Sequence, residues 1–167
     1  MSDHLVVVGG RTFAAHRALL GARCDYFRRL FSGDFADSGR GEVALPDADA
    51  DAFAQLLRFM YAGTLDFPPH LLRPVAELAD RLLLPAASRR AQQLLLAATG
   101  PATVVGDLLW AEARGFAGLL AGLKAFYLDN AHRVLEEAPD SLEVLMLRSP
   151  RLHLDLYAAG IKRARRG

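Results

Sequence analysis

A short apolar run, Leu5 to Val8, meets a glycine pair and a second short segment, Arg11 to Ala14, and beyond about residue 18 apolar positions recur every three to four. The run LVVVGGRTFAA therefore reads as two short strands joined at Gly9-Gly10, with Phe13 on the inward side of the returning strand. Both central positions of a type I′ hairpin turn take positive φ, which glycine adopts without a side-chain clash. The competing reading of strand, glycines and helix is a phosphate-binding turn. A dinucleotide fingerprint needs three glycines at fixed spacing, whereas Gly9 and Gly10 are adjacent and the next is Gly21; a Walker-type Gly-Lys-Ser or Gly-Lys-Thr is also missing.

The helical pattern continues to the end of the chain. Ala18, Leu19 and Ala22, then Tyr26, Phe27, Leu30 and Phe31, predict two short helices with a break at Gly21. Residues 32–41 are rich in Gly, Ser and Asp and predict a loop, and Glu42-Val43-Ala44-Leu45 predicts a short strand closed by Pro46. Asp47 and Asp49 are candidate caps for a helix with the stripe Phe53, Leu56, Leu57, Met60 and Tyr61, stopped by Gly63. Leu71, Leu72, Val75, Leu78, Ala79 and Leu82 line the next helix; Pro85 opens another that runs to about Ala98. Gly100-Pro101 is the clearest boundary, with glycine past one helix end and proline at the start of the next. Beyond it lie the stripes of Val104, Val105, Leu108 and Leu109 and of Phe116, Leu119, Leu120, Leu123, Phe126 and Tyr127. Asp140 with Glu143 predicts a capping box, and Pro150 opens a last helix carrying Leu152, Leu156, Tyr157 and Ile161. The expected class is α+β: a mixed first part, then an all-helical second part.

At 167 residues, 52% hydrophobic and 23% charged, the chain has the balance of a globular protein able to bury its own core. A net charge of +1 gives no global field toward nucleic acid or membrane, and no apolar run approaches the roughly 18 residues of a membrane span. Cys24 is the only cysteine, so no intrachain disulfide can form; with no apolar signal core at the N-terminus, the cytoplasm or nucleus is expected. Charge is unevenly placed. Six acids face one base between residues 34 and 51, which reads equally as caps and solvated loop or as a partner-facing surface. The last six residues hold four bases, read first as cations completing a helix C-terminus and second as a nuclear-import or nucleic-acid patch.

Catalytic chemistry finds no pattern to stand on. Cys24, between Arg23 and Asp25, reads as a small residue packed within a helix rather than a nucleophile. The five histidines, His4, His16, His70, His132 and His153, are scattered without metal-ligand spacing, so no metal and no cofactor is expected. An interaction protein is the better class than an enzyme, which would require a site assembled only by the fold.

The residues also carry a resemblance. SDHLVVVGGRTFAAHRALLGARCDYFRRLFSGDFADS followed by EVALPDADADAFAQLLRFMYAGTL resembles the BTB/POZ domain. The matches are Asp3, Phe13-Ala14-Ala15-His16-Arg17, Tyr26-Phe27, Leu30-Phe31, Leu45-Pro46-Asp47, Phe53 and Tyr61-Ala62-Gly63. The remainder, through LLWAEARGFAGLLAGLKAFYLDNAHRVLEE and SPRLHLDLYAAGIKRAR, is similar to the BACK or three-box helical region of cullin adaptors. The resemblance implies a BTB/POZ domain at residues 1–98, a helix cluster flanked by a small sheet, and an all-α extension at residues 101–167.

It implies further a substrate adaptor of a cullin ubiquitin ligase, dimerising through the BTB domain and binding the cullin N-terminal region. Phe35 with Asp37 two residues later stands where the family places a hydrophobic residue and a glutamate against the cullin; the aspartate is one methylene shorter. Asp80, Leu82 and Leu83, at the end of a helix, are the second implied cullin contact, where many adaptors carry a tyrosine. Asp3 and Arg17 match a charged pair near the family's dimer interface, while the hairpin equally allows an intrachain salt bridge. The alternative is a self-associating or corepressor-recruiting scaffold without a cullin. No kelch, MATH, ankyrin or zinc-finger pattern is present to choose a ubiquitination substrate. The expectation is either a piece of a longer protein served by a substrate-binding subunit or segment, or recruitment through the helical half or the acidic loop.

Overall fold

A computed structural model describes residues 2–33 and 41–167. The chain divides into two compact units, residues 1–95 and 96–167. Among the described residues the first holds a three-stranded sheet, four whole α-helices, a 3-10 helix and most of a fifth α-helix. Strands β1 (His4–Val8) and β2 (Arg11–Ala15) form the expected antiparallel hairpin, and Gly9 and Gly10 both have positive φ, 53° and 87°. Helices α1 (Arg17–Arg23) and α2 (Asp25–Ser32) lie between this hairpin and β3 (Glu42–Leu45), which pairs parallel to β1. The sheet order is therefore β2-β1-β3.

Helix α3 (Ala50–Ala62) follows the sequence pattern closely. Asp49 caps it, its carboxylate accepting the Ala52 amide at 2.8 Å, and Gly63 ends it in the left-handed region at φ 71°. Phe53, Leu56 and Met60 of its stripe are buried, Leu57 is half-buried and Tyr61 is exposed. A short 3-10 helix (Pro69–Leu71) leads into α4 (Leu72–Arg81), whose buried residues Leu72, Val75, Leu78 and Ala79 lie at helical spacing. Helix α5 (Pro85–Ala98) starts at the expected proline.

Two local expectations are corrected. Gly21 stays helical, and the break between α1 and α2 falls at Cys24, whose backbone is extended (φ −140°, ψ 117°). That conformation turns the thiol inward, where it donates to the Leu82 carbonyl at 3.1 Å, so Cys24 sits between helices rather than within one. The buried positions here are Leu20, Cys24 and Phe27, while Ala18 and Ala22 face outward.

The second unit contains α6 (Val104–Arg114), α7 (Ala117–Asp129), α8 (Ala131–Glu137), α9 (Pro139–Arg148) and α10 (Pro150–Arg166). Its core holds Val104, Val105, Leu108, Leu119, Leu123, Val134, Leu145, Leu152 and Leu156. Gly122 lets α7 approach closely, since a Cβ there would come within 2.7 Å of the Leu96 side chain. Asp140 lies inside α9, after Pro139, so the expected capping box does not form; the Ser141 hydroxyl instead donates to the Ala138 carbonyl at 2.6 Å. Ser149 is the true cap of α10, accepting the Leu152 amide at 3.3 Å and donating to Glu112 at 2.7 Å. Helix α10 is apolar on two sides: Leu152 and Leu156 are buried, whereas Leu154, Tyr157 and Ile161 on the opposite side are exposed.

His4 breaks the apolar rule of the sheet. Together with Val6 and Val8 it occupies the inward positions of β1, and it is buried with neither ring nitrogen hydrogen-bonded. Its ring meets Phe31 edge to face at 4.9 Å between centroids. Burial holds the imidazole below its ordinary pKa of 6.5, with nearby Arg17 adding to the shift and Asp3 opposing it. The folded state thus disfavours the proton that the unfolded state accepts, so this contribution to stability is present above the unfolded pKa and is lost as pH falls below it. Unfolding by urea between about pH 8 and 5 is expected to show stability falling on the acid side. In His4→Val that acid-side slope should be shallower than in the wild type; equal slopes would remove His4 as the cause.

Candidate partner-binding surfaces

Asp3 and Arg17 meet at the junction of sheet and α1, through a contact other than the anticipated ion pair. The Asp3 carboxylate accepts the Arg17 backbone N–H at 2.8 Å. Arg17 is the first residue of α1 and His16, at the cap position, offers no side-chain acceptor, so Asp3 satisfies an amide that the helix itself leaves open. That hydrogen bond holds the Asp3 carboxyl below its ordinary value, with smaller contributions from His16 and His4. The Arg17 guanidinium turns to Phe31, 4.8 Å from the ring centre. Phe31 thereby joins Arg17 to the buried His4.

The end of α4 presents a second surface. Its last turn closes as a Schellman motif: Leu84 N–H donates to the Ala79 carbonyl at 2.8 Å and Leu83 N–H to Asp80 at 3.2 Å. The residue forced into the left-handed region is Leu83, at φ 57°, the only non-glycine with positive φ among the described residues. Leucine there carries a steric penalty that glycine escapes, and its side chain is 40% exposed. Asp80 is exposed beside it. Leu82, four residues after Leu78 on the core stripe, is fully buried. Phe35 and Asp37 lie outside the described residues.

The Cys24 thiol is shut away from reaction. Burial raises its pKa above the ordinary 9.0, against smaller opposing contributions from the Phe27 and Tyr26 amides. No group of three or more His, Cys, Asp or Glu side chains is placed to hold a metal among the described residues. No helix among them is long and apolar enough to cross a membrane.

Sequence reasoning missed the burial of His4 and the strain at Leu83. The first had a signal, the strict inward alternation with Val6 and Val8. The second had none, because three successive leucines do not reveal which of them leaves the helix.

The sequence pattern described as BTB/POZ domain matches residues 1–99. The chain belongs to the BTB/POZ family. Among its relatives, Kelch-like protein 30 of Homo sapiens is 31% identical over 137 residues, covering 82% of this chain and 24% of that protein. Kelch-like protein 1 of Mus musculus is 26% identical over 153 residues, covering 92% and 20%. Kelch-like protein 21 of Rattus norvegicus is 32% identical over 143 residues, covering 86% and 24%. The chain thus spans a quarter or less of the length of these relatives. The alignments reach beyond residue 99, and the helical second unit fits a BACK-like region following the BTB/POZ domain.

Two variants check the geometry. Asp3→Ala deprives the Arg17 amide of its acceptor and should lower the thermal midpoint slightly, the carboxylate being exposed and screened by water. Asp3→Asn, which keeps a carbonyl acceptor, should recover most of the difference. Leu83→Gly relieves the left-handed leucine and should raise the unfolding free energy by about 1 kcal/mol, seen as a higher urea midpoint. A lower midpoint would mean that packing of the leucine side chain outweighs the strain.

Proposed function

We propose that this BTB/POZ chain is a non-catalytic adaptor that brings a substrate, or a substrate-binding subunit, to a cullin-type ubiquitin ligase. The observation that carries the reading is the BTB/POZ match over residues 1–99 combined with Kelch-like relatives whose alignments continue into the helical second unit. In this reading two copies associate near Asp3 and Arg17, and the cullin N-terminal region rests on Phe35 and Asp37 together with the exposed Asp80 and Leu83. Leu83 supports the second surface, because backbone strain with an exposed apolar side chain recurs where proteins bind. The single buried cysteine suits a reducing compartment, cytoplasm or nucleus. The alternative, a BTB scaffold that self-associates without a cullin, draws on Asp37, whose shorter side chain weakens a contact made for glutamate, and on the burial of Leu82.

Titration calorimetry of the chain against the cullin N-terminal region, with the wild type beside Phe35→Ala, separates the two. Submicromolar binding by the wild type, lost in the variant while sedimentation shows both still dimeric, is the outcome expected of the adaptor. No binding by a folded, dimeric wild type would establish the scaffold.

A further inference from the structure

Strand β2 is an edge of the sheet, and α3 runs beside it in the same direction. Three contacts in ascending order tie the two together. Arg11 pairs with Asp51 at 2.6 Å, the Phe13 and Phe53 rings meet at 5.0 Å, and Tyr61 Oη accepts the His16 backbone N–H at 2.8 Å. Between the first and last of these opens a concavity of about 340 Å3 lined by Phe13, Ala14, Ala54, Leu57, Arg58 and Tyr61.

The position of this hollow follows from strand geometry. Phe13 and Ala14 are consecutive in β2, so their side chains point to opposite faces of the sheet. A hollow lined by both lies along the strand's edge and not over one face. Along that edge, among the described residues, no third strand pairs with β2; its ladder runs to β1 alone. An unpaired strand edge is a row of backbone donors and acceptors ready for another strand. The hollow beside it is apolar apart from Tyr61, whose hydroxyl is engaged by His16, and Arg58. Arg58 is exposed and donates to the Gln55 side-chain Oε1 at 3.4 Å, with no carboxylate paired to it among the described residues.

We propose that this edge and hollow receive an extended segment of another polypeptide. The segment adds a strand to β2, sets an aliphatic side chain into the hollow and places an acidic residue against Arg58. Backbone pairing supplies general affinity in such strand addition, and the pocket and the cation select the sequence. The proposal is independent of cullin binding and of the Asp3–Arg17 surface.

The test uses the full chain and two labelled heptapeptides, TEVLVET and TKVLVKT, followed by fluorescence anisotropy. The acidic peptide is expected to bind the wild type at least about tenfold more tightly than the basic one. Arg58→Glu, a surface change, should reverse that order, and Ala54→Gln, which fills the hollow, should weaken the acidic peptide about tenfold. Backbone amides of β2 should gain protection from hydrogen exchange when the acidic peptide is added. The proposal is overturned if neither peptide binds up to about 1 mM, or if both bind alike. It is equally overturned if binding leaves β2 unprotected, or if the edge amides are already protected by self-association and open on dilution.

Discussion

The first unit depends on β1 being hydrogen-bonded along both of its edges, antiparallel to β2 and parallel to β3. A central strand has its register fixed twice, and a slip by one residue would exchange His4, Val6 and Val8 for Leu5 and Val7 on the buried face. That fixed register decides where the rest of the unit goes. The parallel partner requires a crossover, which α1 and α2 supply, and the tight Gly9-Gly10 turn leaves β2 as the outer strand beside α3. Even the contact between Asp3 and Arg17 follows, since the residue before β1 is brought level with the residues after β2.

Elements whose ends are written in local chemistry were legible in the sequence. Asp49 and Gly63 bracket α3, Pro85 and Pro150 open α5 and α10, and the glycine pair makes the hairpin, because each acts through one or two backbone angles or a single side-chain bond. Features decided by tertiary packing were not. Gly21 looked like a breaker, yet it stays helical against Phe31, and the chain bends at Cys24 where burying the thiol is worth an extended residue. Asp140 looked like a cap, but Pro139 already occupies the first turn of α9.

The candidate surfaces divide in the same manner. The proximity of Asp3 to Arg17 was readable from the hairpin, whereas the form of the contact was not, because it depends on which amide the start of α1 leaves open. At the end of α4, a run of three leucines holds one residue in the core, one exposed in a left-handed turn and one buried again. Only the Schellman closure distinguishes them, and it is a property of six consecutive backbone positions rather than of any side chain.

The two-sided character of α10 bears on how molecules of this protein behave in a crowd. Leu154, Tyr157 and Ile161 present a sticky stripe, and the same helix ends in Lys162, Arg163, Arg165 and Arg166. Arg163 pairs with Asp129, and the cations beside it repel like charge over a range that shrinks to about 8 Å at physiological salt. One helix thus carries side by side a short-ranged apolar attraction and a screened repulsion.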